Sequence, residues 1–240
     1  MTTPDQLGTI LSVWGHPDDE TYCAGAVTAA AVRNGQRIIC VTATRGEKGV
    51  QDAKKWPSAK LGEIRSRELE AALRVLGVIE HYWLNYQDGT CDKVPHDEVA
   101  RFLTSLIEHC NVDSILTFGP DGLTGHPDHK AVSGWVDVAV HSSSRKPAIY
   151  HVAQPRAAYK KYLKKADKEL NIFFAAEKPT LVDAADCAIY FKPEAYCIER
   201  KYRALRAMPS QTDSLLRVIR PEDFAGALGT EAFVKAGRNQ

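Results

Sequence analysis

The chain has 240 residues, 44% of them hydrophobic and 25% charged, with a formal net charge of +1. That length suits one large α/β domain and is short for two. A nearly neutral net charge argues against nucleic-acid binding, which normally needs a basic face. No apolar run reaches the ~20 residues of a membrane span, and the N-terminus lacks a basic-then-apolar signal pattern. Six cysteines without a C-x-x-C pair are typical of buried thiols in a reducing compartment. We therefore expect a cytoplasmic protein without a membrane partner.

Strands and helices alternate through the first 155 residues. Strands are predicted at 9–14, 37–43, 81–84, 114–118 and 148–152. Helices are predicted at 21–34, 61–76, 96–110 and 127–142, and a long polar loop at 44–59. This order predicts an α/β fold with a Rossmann-like doubly wound, mostly parallel sheet and helices on both of its faces.

The pattern becomes less regular after residue 155. A helix is predicted at 157–170, short strands at 181–182 and 188–191, a helix at 193–208, and a last helix and strand within 224–236. We therefore predict a single domain over residues 1–240, with a Rossmann-like core at 1–155 and a C-terminal α+β elaboration at 156–240. The elaboration could also supply a homo-oligomer interface.

Two related motifs follow two of the predicted strands. The first strand leads into Gly15-His16-Pro17-Asp18-Asp19-Glu20, and the fourth leads into Gly125-His126-Pro127-Asp128-His129. In a doubly wound sheet the first and fourth strands are neighbours, and ligands bind at the carboxyl ends of the strands. The topology therefore predicts one shared site, although the motifs lie far apart in the sequence.

The residue types in these motifs suit a metal-activated water. Two histidines and one carboxylate with an open position are a usual catalytic zinc set. A second carboxylate can take a proton from the water, and a further histidine can protonate a leaving amine or stabilise an oxyanion. The alternative is that Asp18, Asp19 or Asp128 simply caps the helix that follows it. A dinucleotide cofactor is disfavoured, because the first turn lacks G-x-G-x-x-G and carries acids instead.

The motifs resemble those of the LmbE-like/PIG-L zinc-dependent N-deacetylases, which act on N-acetylglucosamine conjugates. The similarity covers most of the chain. Residues 14–20 and 124–129 carry it, with support from 44–49, 62–69, Leu76-Gly77 and Ser210-Gln211.

This resemblance implies a role for each site residue. His16, Asp19 and His129 become the metal ligands, and Asp18 becomes the general base. His126 becomes the acid or oxyanion partner, oriented by Asp128. On physical grounds, Zn²⁺ should lower the pKa of the nearby Asp18 carboxylate, and His126 would have to be cationic to donate a proton, which a nearby carboxylate favours. The resemblance also makes Arg65 a substrate contact.

Two further predictions concern the walls of the site. Glu47 lies in the long loop after the second strand, where a substrate wall is expected, although it could instead form a surface ion pair with Arg45. Some sugar-conjugate deacetylases of the family have a tyrosine at the position of Thr124. A tyrosine contribution to the oxyanion site would therefore have to come from Tyr22, Tyr86 or Tyr190.

The resemblance implies release of acetate from an N-acetylated amino sugar, a small-molecule substrate, with Zn²⁺ as cofactor and Fe²⁺ or another divalent metal as alternatives. Two other readings use the same ligands. One is a non-haem Fe(II) oxygenase with a facial triad, and the other is a non-catalytic metal- or carbohydrate-binding domain. The sequence does not specify which N-acetylated substrate is used.

Overall fold

The structure, a computed structural model, describes residues 1–174, 176 and 180–237 and is built on an eight-stranded sheet. Its strands are β1 (Ile10–Trp14), β2 (Ile38–Thr44), β3 (Glu80–Tyr86), β4 (Ser114–Thr117), β5 (Ala148–Pro155), β6 (Leu181–Val182), β7 (Ile189–Phe191) and β8 (Glu231–Lys235). Every residue of β1, β2 and β4 is buried. Strands of this kind belong to a parallel sheet that is covered on both faces.

The strand order is β3-β2-β1-β4-β5-β8-β7, and the short strand β6 pairs with β5. The first five strands are parallel, whereas β8 runs antiparallel to both β5 and β7. Strand β1 lies between β2 and β4, with Leu11 opposite Ile39 on one side and Ile115 on the other. The predicted doubly wound, mostly parallel sheet is therefore confirmed, and the winding direction reverses at β1 and β4.

Helices cover both faces of the sheet. They are α1 (Asp19–Arg33), α2 (Ser58–Leu76), α3 (His96–His109), the single turn α4 (Gly122–Gly125), α5 (Pro127–Ser142), the short α6 (Arg156–Ala158), α7 (Lys164–Leu170), α8 (Ala195–Arg206) and α9 (Pro209–Val218). Gly77 ends α2 with φ +86°, a left-handed conformation that glycine adopts at low cost. Pro127 occupies the first turn of α5, where its missing N–H costs no helical hydrogen bond.

Helix α9 is absent from the sequence prediction. Its residues include Ser210 and Thr212, which are weak helix formers, with Gln211 between them. Those three side chains are buried, because α9 packs against α2, α7 and α8. Tertiary packing therefore stabilises a helix that local propensity does not predict.

The C-terminal third builds a second, smaller hydrophobic cluster beside the main core. Its buried members are Leu163, Ala166, Leu215, Ile219 and Ala227. No helix in the described part of the chain is both long and apolar enough to cross a bilayer.

Candidate metal centre

The two histidine motifs meet at the carboxyl edge of the sheet. The first motif leaves the end of β1, and the second follows α4 at the end of β4. Since β1 and β4 are hydrogen-bonded neighbours, the loops converge. The Nδ1 atom of His16 lies 3.1 Å from the Nε2 atom of His129, although the residues are 113 positions apart in the sequence.

Asp19 completes a triangle of ligand-type atoms with these two histidines. Its Oδ2 atom lies 3.4 Å from His16 Nδ1 and 3.4 Å from His129 Nε2. Nitrogen and oxygen ligands at tetrahedral angles around zinc are separated by about 3.3–3.5 Å, given metal–ligand distances of roughly 2.0–2.2 Å. The predicted ligand set therefore has the spacing of three corners of a tetrahedron.

Hydrogen bonds on the far side of each imidazole determine which nitrogen faces the triangle. His16 Nε2 lies 3.1 Å from Asp128 Oδ2 and 3.2 Å from Asp88 Oδ1. His129 Nδ1 lies 3.0 Å from the carbonyl oxygen of Gly122. These oxygens act as acceptors, so the outer nitrogens carry the protons. The two inner nitrogens then face each other through their lone pairs, an arrangement that needs a shared proton or a cation between them.

The surrounding carboxylates also favour a positive charge between the two imidazoles. Burial alone would lower the pKa of His16, but hydrogen bonds to Asp128, Asp19 and Asp88 raise it well above its ordinary value. Burial alone would raise the pKa of Asp19, but the charges of His129 and His16 lower it well below its usual range. A buried site that favours positive charge at this point suits a metal cation.

Asp128 contacts two of the site's imidazoles, His16 through its carboxylate and His126 through its main chain. Its carboxylate contacts His16, and its two oxygens also accept the backbone N–H groups of Gly89 and Cys91 at 2.7 and 3.0 Å. Its connection to His126 runs through the main chain, since the Asp128 N–H donates to His126 Nδ1 at 3.1 Å. Asp128 therefore contacts the predicted partner His126 through its main chain, and its carboxylate contacts His16. The completely buried carboxylate of Asp128 supports a predicted metal ligand instead.

His126 is neutral rather than cationic. Burial, followed by the positive charges of His16 and His129, lowers its pKa to about 4. The expectation of a protonated His126 is corrected accordingly. Because Nδ1 accepts the Asp128 N–H, the single proton of the neutral ring resides on Nε2. His126 lines a cavity that opens over the triangle, where that N–H can donate a hydrogen bond.

Asp18 sits in a constrained turn beside the triangle. Its φ of 102° is rare for a residue with a side chain. Its N–H donates to Glu20 at 3.0 Å, and its carboxylate lies 3.5 Å from Arg65 Nη2. Burial raises the pKa of Asp18 to about 7, against the opposing charge of Arg65. This direction is opposite to the lowering expected for a carboxylate beside Zn²⁺.

The Arg65 side chain makes its hydrogen bonds to other groups of the protein. Its guanidinium is 4% exposed and donates to the carbonyl oxygens of Gly46 and Pro17 as well as approaching Asp18. It lines the cavity, but its described contacts hold the loops after β1 and β2 together. Glu47 is not among the residues that line the cavity, and its carboxylate accepts the Asp88 N–H at 2.9 Å. Glu47 lines a second cavity with Arg45 and Tyr86, and its contact with a substrate stays a prediction.

Sequence reasoning missed two residues of the centre, Asp88 and Glu20. Asp88 follows β3, accepts the Lys48 N–H at 2.8 Å and contacts His16. Burial would raise its pKa, but the hydrogen bond with His16 holds it at about 2. The sequence feature that could have identified Asp88 is an acidic residue shortly after a third parallel strand. Burial raises the pKa of Glu20 to about 8, and its carboxyl group accepts the Asp18 N–H.

A cavity of about 800 Å³ opens over the triangle. Of the three tyrosines considered as replacements at the position of Thr124, Tyr22 lines this cavity. Tyr86 instead donates its hydroxyl to Glu98 at 2.9 Å. Burial and the charge of Asp18 raise the pKa of Tyr22 well above its usual value, so its phenol stays protonated.

The fold and the site together define a Rossmann-like α/β protein with a buried His-Asp-His cluster at the carboxyl edge of its sheet. The sequence pattern of the PIG-L family, described as GlcNAc-PI de-N-acetylase, matches residues 11–140, and the chain belongs to this family. A relative from Catenulispora acidiphila, 1D-myo-inositol 2-acetamido-2-deoxy-alpha-D-glucopyranoside deacetylase 2, is 34% identical over 143 residues. The match covers 50% of this chain and 47% of the relative, so the chain spans about half of that protein.

Solved structures share the fold at lower sequence identity. The N,N'-diacetylchitobiose deacetylase from Pyrococcus horikoshii gives a TM-score of 0.62 at 23% identity, covering 95% of this chain and 83% of that one. The 4-carboxy-2-hydroxymuconate hydratase from Pseudomonas putida gives 0.63 at 15% identity, covering 95% and 96%. Because a hydratase shares the fold, the reaction has to be argued from the site.

Proposed function

We propose that this chain is a metal-dependent hydrolase that removes the acetyl group from an N-acetylated amino sugar. The observation that carries this proposal is the triangle of His16, Asp19 and His129, over which Asp18 and His126 line the same cavity. A ligand-type nitrogen of His126 also lies within 4.8 Å of those of His16 and His129. A structural zinc site normally uses four protein ligands and leaves no open position. Three ligands with a base and a donor beside them suit hydrolysis. Family membership and the deacetylase names of relatives support the same reaction.

The donor set fits Zn²⁺ best, with Fe²⁺ or another divalent ion as the alternative. When bound, such an ion would lower the pKa of a water molecule to about 7 and polarise the amide carbonyl. His16 and Asp19 hold one edge of the triangle and His129 the opposite corner. Asp128 and Gly122 fix the two imidazoles through their outer nitrogens.

Asp18 serves as the proton carrier in this proposal. Its carboxylate takes a proton from the attacking water and then returns it to the sugar nitrogen as the C–N bond breaks. The products are acetate and a free amine. His126 is too weak a base to be protonated at neutral pH, so its Nε2–H stabilises the developing oxyanion as a neutral hydrogen-bond donor. Tyr22 is the candidate phenol in the same cavity.

The substrate class is an N-acetylglucosamine conjugate. The Catenulispora relative is named for an inositol glycoside of this sugar, and the Pyrococcus structure for diacetylchitobiose. Both names share the 2-acetamido group on which the reaction would act. The polar side chains of Lys48, Gln51 and Gln211 line the cavity and suit sugar hydroxyl groups.

The test is an acetate-release assay on a panel of N-acetylglucosamine derivatives with Zn²⁺ or Fe²⁺ supplied. We expect Asp18→Ala to retain the metal and to lose turnover by about 10²–10⁴-fold, the range for a general base. His129→Ala should lose both metal and turnover. His141→Ala, an exposed histidine on α5, serves as the matched control.

Several outcomes would contradict the proposal. Loss of metal in Asp18→Ala would mean that ligand and base are interchanged. Absence of acetate release across the panel with either metal would remove the assigned reaction. Oxygen consumption with 2-oxoglutarate and no acetate would favour the oxygenase alternative.

A further inference from the structure

A buried ion pair between Lys201 and Glu231 contacts the backbone of helix α1. Lys201 Nζ donates to the carbonyl oxygen of Tyr22 and to Glu231 Oε1, each at 2.7 Å. The two carboxylate oxygens of Glu231 accept the N–H groups of Ala26 and Val27 at 2.8 and 2.7 Å. The side chains of the pair are 1% and 2% exposed. The pair therefore binds backbone groups on both sides of one turn of α1.

Two of these backbone groups are ordinarily partners of each other. In an α-helix the N–H of Ala26 donates to the carbonyl oxygen of Tyr22, four residues earlier. Here each of the two groups is bound by a charged side chain. The first turn of α1, which begins at Asp19, is therefore attached through the ion pair to α8 and β8 as well as to the rest of its own helix.

Gly25 allows Lys201 to approach the helix this closely. A β-carbon at position 25 would lie 3.1 Å from Lys201 Cγ, which is closer than an ordinary van der Waals contact. Glycine within a helix is less favourable than alanine, because its backbone loses more conformational entropy on folding. The chain therefore has a weak helix former at the position where the ion pair needs space.

The ion pair is poorly explained by stability alone. Removal of two charges from water costs free energy that their mutual attraction offsets only in part, and apolar replacements of similar volume are often equally stable. Lys201 and Glu231 also lie outside residues 11–140, the segment that matches the family pattern. The role of the pair is therefore indicated by the groups that it holds.

The turn that the pair holds carries two residues of the candidate site. Asp19 begins α1 and supplies the carboxylate corner of the triangle, and Tyr22 lines the cavity. Asp19 Oδ2 lies 3.4 Å from His16 Nδ1 and 3.4 Å from His129 Nε2. Metal ligands have to be held within about 0.5 Å of their working positions. A small shift of this turn would therefore change the spacing of the triangle.

We propose that Lys201 and Glu231 are positioning residues of the metal centre, which hold the first turn of α1 so that Asp19 completes the triangle. This proposal rests on the metal-dependent function proposed above. The pair acts through Asp19 and Tyr22 and contacts no reacting atom. It gives the C-terminal elaboration a role in a site whose three metal-ligand candidates all belong to the Rossmann-like core.

The experiment compares two ion-pair variants with a control of reduced stability. Lys201→Met removes the cation alone. The double variant Lys201→Met/Glu231→Met removes both charges and leaves the Ala26 N–H free to donate to Tyr22 as in an ordinary helix. Ile107→Ala is the control, because Ile107 is completely buried near the end of α3. That end of α3 leads to the start of β4, at the edge of the sheet opposite the site.

Co²⁺ is the metal probe, because it takes the same nitrogen and oxygen ligands as Zn²⁺ and its visible absorption depends on coordination geometry. In both ion-pair variants we expect a changed spectrum and a Co²⁺ affinity about tenfold weaker, the lower end for residues that support metal ligands. Urea denaturation should show the double variant to be more stable than Lys201→Met, since it buries no unpaired charge. Ile107→Ala should lose stability and keep the normal spectrum and affinity.

The double variant decides between a positioning role and a purely structural one, also where Lys201→Met does not fold. Normal Co²⁺ affinity and spectrum in the double variant would overturn the proposal, and so would an equal loss of affinity in Ile107→Ala. Altered Co²⁺ binding in the ion-pair variants, without acetate release by the unaltered protein, would retain the positioning role and reject the assigned reaction. Absence of Co²⁺ binding by the unaltered protein would reject both.

Discussion

The His16 Nε2 atom lies 3.1 Å from Asp128 Oδ2, which joins the two halves of the site through an imidazole and a completely buried carboxylate. Burial would raise the pKa of Asp128, but the hydrogen bond from His16 holds it below its usual value. Asp128 is therefore an ionised acceptor that keeps the proton of His16 on Nε2 and leaves Nδ1 available to a metal.

Asp128→Asn should weaken metal affinity by about 10–100-fold, the usual effect of removing such a supporting carboxylate. In Asp128, each carboxylate oxygen accepts one backbone N–H group, from Gly89 or Cys91. The asparagine NH₂ would place a donor opposite one of these donors, and that hydrogen bond would be lost. Competition with a chromophoric chelator measures the affinity. Asp92→Asn, an exposed neighbour, is the control and should bind metal normally. Equal affinities in both variants would show that Asp128 does not support His16.

Arg65→Met should lower the free energy of unfolding by about 3 kcal/mol, because the carbonyl groups of Gly46 and Pro17 and the carboxylate of Asp18 lose a buried donor. Urea denaturation measures the change. Arg67→Met is the control, since that side chain is 75% exposed and its ion pair with Glu63 contributes little. A variant with normal stability and a raised KM would instead make Arg65 a dedicated substrate contact.

His81 should make stability depend on pH in the mildly acidic range. Burial, followed by the charge of Arg45, lowers its pKa in the folded protein to about 4. Between about pH 6.5 and 4 the unfolded chain therefore binds a proton that the folded chain does not, and stability falls as the pH decreases through this window. His81→Gln should abolish about 1–2 kcal/mol of the difference in unfolding free energy between pH 7.5 and pH 5. His141→Gln is the control, and an identical pH dependence in both variants would contradict the assignment.

Lys201 and Glu231 form a buried ion pair that should be costly to break. Their side chains are 1% and 2% exposed, and Lys201 Nζ donates to Glu231 Oε1 at 2.7 Å. Glu231 also accepts the N–H groups of Ala26 and Val27 in α1. Lys201→Met leaves this carboxylate without its cation and should destabilise the protein by about 3–5 kcal/mol.

Chemical denaturation of Lys201→Met and of Arg33→Met tests this expectation. Arg33 pairs with Glu194 on the surface, where both side chains are more than half exposed. Its replacement should change the unfolding free energy by less than about 1 kcal/mol. Equal losses in the two variants would show that the Lys201–Glu231 pair contributes no more than a surface pair.

The local sequence was sufficient for the parallel core. Hydrophobic runs, glycine stops and the strand–helix alternation predicted β1 to β5 and the helices α1, α2, α3 and α5, and the handedness of parallel crossovers then left one topology. Those signals are local, so they can be identified before the chain is folded. Helix α9 was not predicted, because its polar residues become helical only when they are packed against α2 and α8.

For the site, the sequence by itself determined that the two histidine motifs follow adjacent strands and that His16, Asp19 and His129 lie together there. Only the tertiary structure decided that Asp128 supports His16, that Asp88 joins it from β3, and that Glu47 and Arg65 make internal contacts. The physical reason is that a residue type and its spacing define which groups are available. Hydrogen-bond partners and pKa shifts depend on distances between loops that the sequence separates and the sheet brings together.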